Sequence, residues 1–115
     1  MITIRQEDGL TILEVTERIR QADYHRVVPE LEKQMEGKGK LRCLVHLHDV
    51  DGVDLRALVE EVKFDLVHRK DFERCAVVGD RPWERAATKL GQMWFSGEVR
   101  FFDDLDEARK WAGQE

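Results

Sequence analysis

The run RCAVVG at residues 74–79 is apolar on both of the faces that a strand would present. Such a strand is stable only when both sides are covered, which calls for a layered α/β arrangement with this strand near its centre. A second run, LRCLVHLH at 41–48, is less even. Leu41, Cys43, Val45 and Leu47 make one apolar face, whereas Arg42, Leu44, His46 and His48 make a mixed one.

The remaining elements follow from periodicity and turn chemistry. ITIRQ at 2–6 and LTILEVTE at 10–17 read as strands around Asp8-Gly9, a hairpin turn signal. In the second strand Leu13 and Val15 share one face; Leu10, Ile12, Glu14 and Thr16 share the other, which is apolar at one end only. Asp23 is positioned to cap a helix reaching about Glu36, with Tyr24, Val27, Val28, Leu31 and Met35 on one side. Pro29 either kinks that helix or delays its regular part to near Val28. GKGK at 37–40 ends the element. DVDGVD reads as a loop, and Asp54 as the cap of a second helix with a Leu55, Leu58, Val59, Val62, Leu66 stripe. Phe64 lies about 180° from that stripe on the helical wheel. Asp80 and Pro82 open a third helix carrying Trp83, Ala86, Ala87, Leu90 and Trp94 on one side. EVRFF at 98–102 is a last strand, and 104–112 a terminal helix with Leu105, Ala108 and Ala112 inward. The order ββαβαβαβα predicts one α/β domain over residues 1–115, with a small, mixed, mostly parallel sheet and packed helices.

Composition narrows the function. A net charge of −5 argues against nonspecific nucleic-acid binding, which needs a basic surface. No apolar stretch approaches the ~20 residues of a membrane span, and MITIRQEDG lacks the pattern of a signal peptide, so the expected compartment is cytoplasmic. Cys43 and Cys75 sit in apolar strands and read as small buried hydrophobes rather than as a disulfide.

Candidate chemistry is sparse. His46 and His48, two apart on a strand, face the same way, and with Asp49 they suggest a small metal-dependent enzyme. A further protein ligand is not evident, because His25 and His68 fall on helices elsewhere. The plainer reading makes the pair the polar rim of a thinly covered sheet face, so no metal and no cofactor are expected. Ser96 follows Trp94-Phe95 in a loop context rather than a strand-to-helix elbow, and VVGDRPW has too few glycines to cradle a phosphate. Glu60-Glu61, Asp49-Asp51 and Asp103-Asp104 read as solvated or helix-start charges, so no catalytic residue is expected.

The aromatic residues say more. MWF at 93–95 cannot place all three side chains on one core, and Phe64 stands off its stripe. Phe64 and Phe95 either lie beneath neighbouring loops or mark a dimer contact or an apolar groove between the second and third helices. A homodimer is the expected assembly.

DLRALVEEVKFDLVHRKDFERCAVVGDRPWE and GEVRFFDDLDEARKWA together resemble the SpoIIAA-like family, a relative of the STAS domains often described with the CRAL-TRIO lipid-transfer domains. The likeness is clearest from Asp54 to Trp111, and FERCAVVGDRPWE is its most specific part. It implies a STAS-type fold. It also implies a phosphorylated Ser or Thr in the loop after the third strand, yet HDVDGVDLRAL holds no Ser, Thr or Tyr. The expected function is therefore a noncatalytic regulatory module, or one binding a small apolar or lipid ligand, without that phosphoswitch. Phe64, Met93, Trp94 and Phe95 would line its pocket. A metal-dependent enzyme using His46, His48 and Asp49 and a pure protein-interaction domain are the alternatives.

Overall fold

A computed structural model describes residues 1–36, 40–68, 70–91 and 97–114; for 53, 55, 58, 59, 62, 65–67, 90 and 91 it describes the backbone alone. The elements run β1 (Ile2–Glu7), β2 (Leu10–Ile19), α1 (Gln21–Met35), β3 (Leu41–Val53), α2 (Leu55–His68), β4 (Phe72–Val78), α3 (Pro82–Gly91), β5 (Glu98–Phe102) and α4 (Leu105–Ala112). They form one five-stranded sheet in the order β1-β2-β3-β4-β5. β1 and β2 are antiparallel, and every later pair is parallel.

The hairpin turns where Asp8-Gly9 predicts. Both residues take positive φ, 50° and 81°, as a type I′ turn requires. From β2 onward each new strand is added beyond the last, so the winding never reverses. A right-handed crossover then drops every connecting helix onto the same face. Val27 and Leu31 of α1, Ala57 of α2 and Trp83 of α3 accordingly pack with Val15, Val45 and Leu47. The opposite face receives α4, whose Ala108, Trp111 and Ala112 cover Leu10, Ile12, Leu44, Ala76 and Val78. RCAVVG is thus covered on both sides, as its composition demands.

Several local expectations are corrected. α1 starts at Gln21 and runs through Pro29, which has no N–H to offer the His25 carbonyl. Asp23 sits inside its first turn and accepts the Arg20 backbone N–H at 2.9 Å, instead of preceding the helix as a cap. DVDGVD is not a loop. β3 continues to Val53, and a bulge makes this fit: β2 advances from Thr16 to Arg18 while β3 advances from His48 to Gly52. Glu17 and Asp49 absorb it at φ 64° and 48°. The extension places Val50 in the core with no exposed surface.

In α3 the predicted inward face is also displaced. Ala86 and Ala87 are exposed, whereas Glu84 and Thr88 are buried. Local bonds satisfy part of this polarity, the Glu84 Oε2 atom having no hydrogen-bond partner among the described residues. Glu84 Oε1 accepts backbone N–H groups of Asp80 and Arg81 at 3.0 Å each, and the Thr88 hydroxyl donates to the Glu84 carbonyl at 2.8 Å. In α4 it is Trp111, not Leu105, that completes the inward face. Asp104 caps this helix, accepting from Asp106 N–H at 2.8 Å and Glu107 N–H at 3.1 Å.

Candidate functional site

The α4 face is apolar where α4 covers it and polar beyond. α4 is 8 residues long, and at ~1.5 Å per residue it spans only part of the strands beneath it. Past its reach, toward the carboxyl ends of β2 and β3, the same face carries Glu14, His46 and His48. The parallel ladder sets Glu14 opposite His46 and Thr16 opposite His48. Alternation along each strand then brings the three side chains to one side.

Their geometry is close. The His46 and His48 ring centroids are 3.7 Å apart with planes tilted by 47°. Glu14 Oε2 lies 3.6 Å from His48 Nε2, and one donor atom from each of the three residues falls within 4.8 Å of the others. His48 Nε2 is buried and has no hydrogen-bond partner among the described residues. The His48 side chain as a whole is 41% exposed, so this is an enclosed atom on a half-exposed ring.

Arg5 on β1 supports the cluster from the side, donating to Glu14 Oε1 at 2.7 Å and to Glu7 Oε2 at 2.6 Å. Its hydrogen bond holds the Glu14 carboxyl below the usual carboxylate range, with the attraction of the two imidazoles a smaller aid. Burial, and next the neighbouring His48, push the His46 imidazole below its ordinary value, favouring the neutral ring.

Two clefts open at the carboxyl ends of the strands. One, of about 240 Å³, is lined by His46, His48, Asp49, Asp80 and Asp103 among others. The second, of about 370 Å³, runs along α3 beneath Arg81, Arg85 and Lys89, with Phe101 on its floor. The two share Gly79, Asp80 and Asp103. Arg81, just before α3, and Arg85 and Lys89 within it recur every fourth residue and so lie on one side. The Arg85 guanidinium sits 4.6 Å over the Phe101 ring. A Cβ at Gly79 would stand 2.4 Å from Glu84 Oε1, so a side chain there would push that carboxylate from its place.

The residues singled out in the sequence fare differently. His46 and His48 meet as expected, but their carboxylate partner is Glu14 rather than Asp49. The Asp49 side chain is 89% exposed and lies 3.7 Å from Arg81. His25 and His68 stay apart from the site, beside Glu60 and Asp71 respectively. Phe64 is not on the outer side of α2. It packs inward, with ring centroids 4.7 Å from His68 and 6.0 Å from Phe72, against the Leu41–Cys43 core. Met93, Trp94, Phe95 and Ser96 lie outside the described residues, as do the side chains of the Leu55–Leu66 stripe. Cys43 and Cys75 are register neighbours on β3 and β4, and each keeps its thiol rather than joining a disulfide. Burial, and next the nearby Cys75, push the Cys43 thiol well up, away from the reactive thiolate. Among the described residues no helix is long and apolar enough to cross a membrane.

A hairpin leading into a parallel sheet wound to one side, closed by a terminal helix on the other, defines a STAS-type α/β domain. The sequence profile of the SpoIIAA-like family matches residues 10–113, and the chain belongs to that family. A solved structure from Shewanella loihica PV-4, described as an uncharacterized protein of the DUF3478 family with a SpoIIAA-like fold, is similar throughout. The two are 26% identical, superpose with a TM-score of 0.83, and are covered over 97% of this chain and 92% of that one. None of the curated proteins compared with the chain matches it.

Proposed function

We propose that this chain is a noncatalytic SpoIIAA-like binding module, a single domain over residues 1–115, that takes a small amphiphilic anion in the cleft along α3. The observation that carries the reading is the meeting of Arg81, Arg85 and Lys89 with Phe101 in one cleft, Arg85 lying over the ring. Cationic heads beside an aromatic floor suit a ligand with an anionic group and a short apolar body, such as a fatty acid. A volume of about 370 Å³ falls at the small end of ligand pockets, roughly 300–1,000 Å³. A regulatory role by phosphorylation is disfavoured by the absence of any hydroxyl residue in 48–58. Met93, Trp94 and Phe95 are proposed as further apolar contacts, Phe64 being packed instead against Phe72 and His68, and a homodimer is proposed as the working assembly.

Titrating labelled protein with decanoate tests this. Amide shifts should concentrate at Arg81, Arg85 and Phe101, and Arg85→Glu should remove them, while decanoate is recovered unchanged. Quenching of tryptophan emission should disappear in Trp94→Phe. A titration without shifts at these amides ends the cleft reading. A Trp94→Phe variant quenched like the parent removes Trp94 from it. Sedimentation equilibrium decides the dimer.

A further inference from the structure

We infer that Glu14, His46 and His48 form a binding site for a divalent transition-metal ion of the zinc class, with one coordination position open to the adjoining acidic cleft. Imidazole and carboxylate are the donors such ions prefer, and three of them converge here from two hydrogen-bonded strands. Two bonds of 2.0–2.2 Å at a tetrahedral angle put the donor atoms about 3.4 Å apart. Glu14 Oε2 and His48 Nε2 stand at 3.6 Å, already near that spacing. The wider limit of 4.8 Å within the triangle leaves the remaining approach to side-chain torsions, since the ladder holds the backbones in register.

The unpartnered Nε2 of His48 fits the same account. A buried ring nitrogen facing a carboxylate beyond hydrogen-bond reach is supplied with a partner by an ion between them. Arg5 is the supporting residue: it grips Glu14 Oε1 and leaves Oε2 turned to His48. Holding a ligating carboxylate through its other oxygen orients it, as outer-shell groups do in metal sites. Three protein ligands leave a fourth position, and the cleft lined by Asp49, Asp80 and Asp103 gives it room for a water molecule or a small ligand.

The test uses the metal alone. Zinc sulfate titrated into the wild-type protein should shift the imidazole resonances of His46 and His48 at one equivalent, leaving His25 and His68 in place. By calorimetry His46→Ala, His48→Ala and Glu14→Gln should each weaken binding by at least about tenfold, and Asp49→Asn should bind as the parent does. Cobalt(II) bound to the wild type should give the strong visible absorption of a four-coordinate site, a readout that needs no variant to fold. Wild-type protein without histidine shifts or cobalt absorption overturns the site. A folded Glu14→Gln with parental affinity, or loss of binding in Asp49→Asn, overturns this ligand set.

Discussion

On one face of the sheet α1, α2 and α3 press onto Val15, Val45 and Leu47; on the other, among the described residues, only α4 covers Leu10, Ile12, Leu44, Ala76 and Val78. The asymmetry comes from winding. Strands added always in one direction send their crossovers to one side, so the second side is left to whatever follows the last strand. Here that is a helix of 8 residues. The well-covered face can be apolar along its length. The other must turn polar where cover ends, and there the histidines and Glu14 appear. The sheet also lacks a reversal of strand order, so it has no crevice of the doubly wound kind. Its clefts form between the strand ends, the first turn of α3 and the start of the segment after β5.

The largest expected effect tests whether the thinly covered face depends on one side chain. Trp111 is 8% exposed, packs against Phe102 with centroids 5.6 Å apart, and lies under the Arg74 and Arg100 guanidinium groups. Trp111→Ala should cost about 3–5 kcal/mol in urea unfolding and speed amide exchange first in α4 and β5. Leu31→Ala on the other face should cost about 2–5 kcal/mol while leaving α4 protected. Early loss of α4 protection in Leu31→Ala would erase the distinction between the faces. A smaller effect probes how α4 is anchored. Asp104→Ala should cost about 1 kcal/mol, because two N–H groups at the helix start lose their acceptor. An unchanged urea midpoint would show that packing alone holds the helix.

The smallest effect concerns pH. The folded protein holds His46 below its ordinary value, so below that value the unfolded chain binds more protons and stability falls as pH falls. Between pH 8 and 5 the wild type should therefore lose more stability than His46→Gln, as thermal melts would show. Equal losses would mean that the polar end of this face is fully solvated.

Much of this was readable in advance. The hairpin at Asp8-Gly9, the element order and the two-sided burial of 74–79 rest on local chemistry and period, which a chain carries in its residues. The half-apolar face of β2 was visible too, and Glu14 was its anomaly: the first charge after Leu10 and Ile12 on that side. Its meeting with His46 was not visible, because partners across a parallel pair are separated by a whole helix and their register depends on the packing of that helix. The bulge at Glu17 and Asp49 and the burial of Glu84 escaped for the same reason. Each breaks a local rule and is stabilised by groups distant in sequence or by backbone bonds that exist only once the turn has formed.

The residues alone determined the class of fold, because periodicity and turn propensity act over a few neighbours. Only the tertiary structure decided that Phe64 faces inward, that α4 packs on the side opposite the other helices, and that Glu14 joins the histidines. Those outcomes depend on winding direction and strand register, which are settled when all the elements pack together.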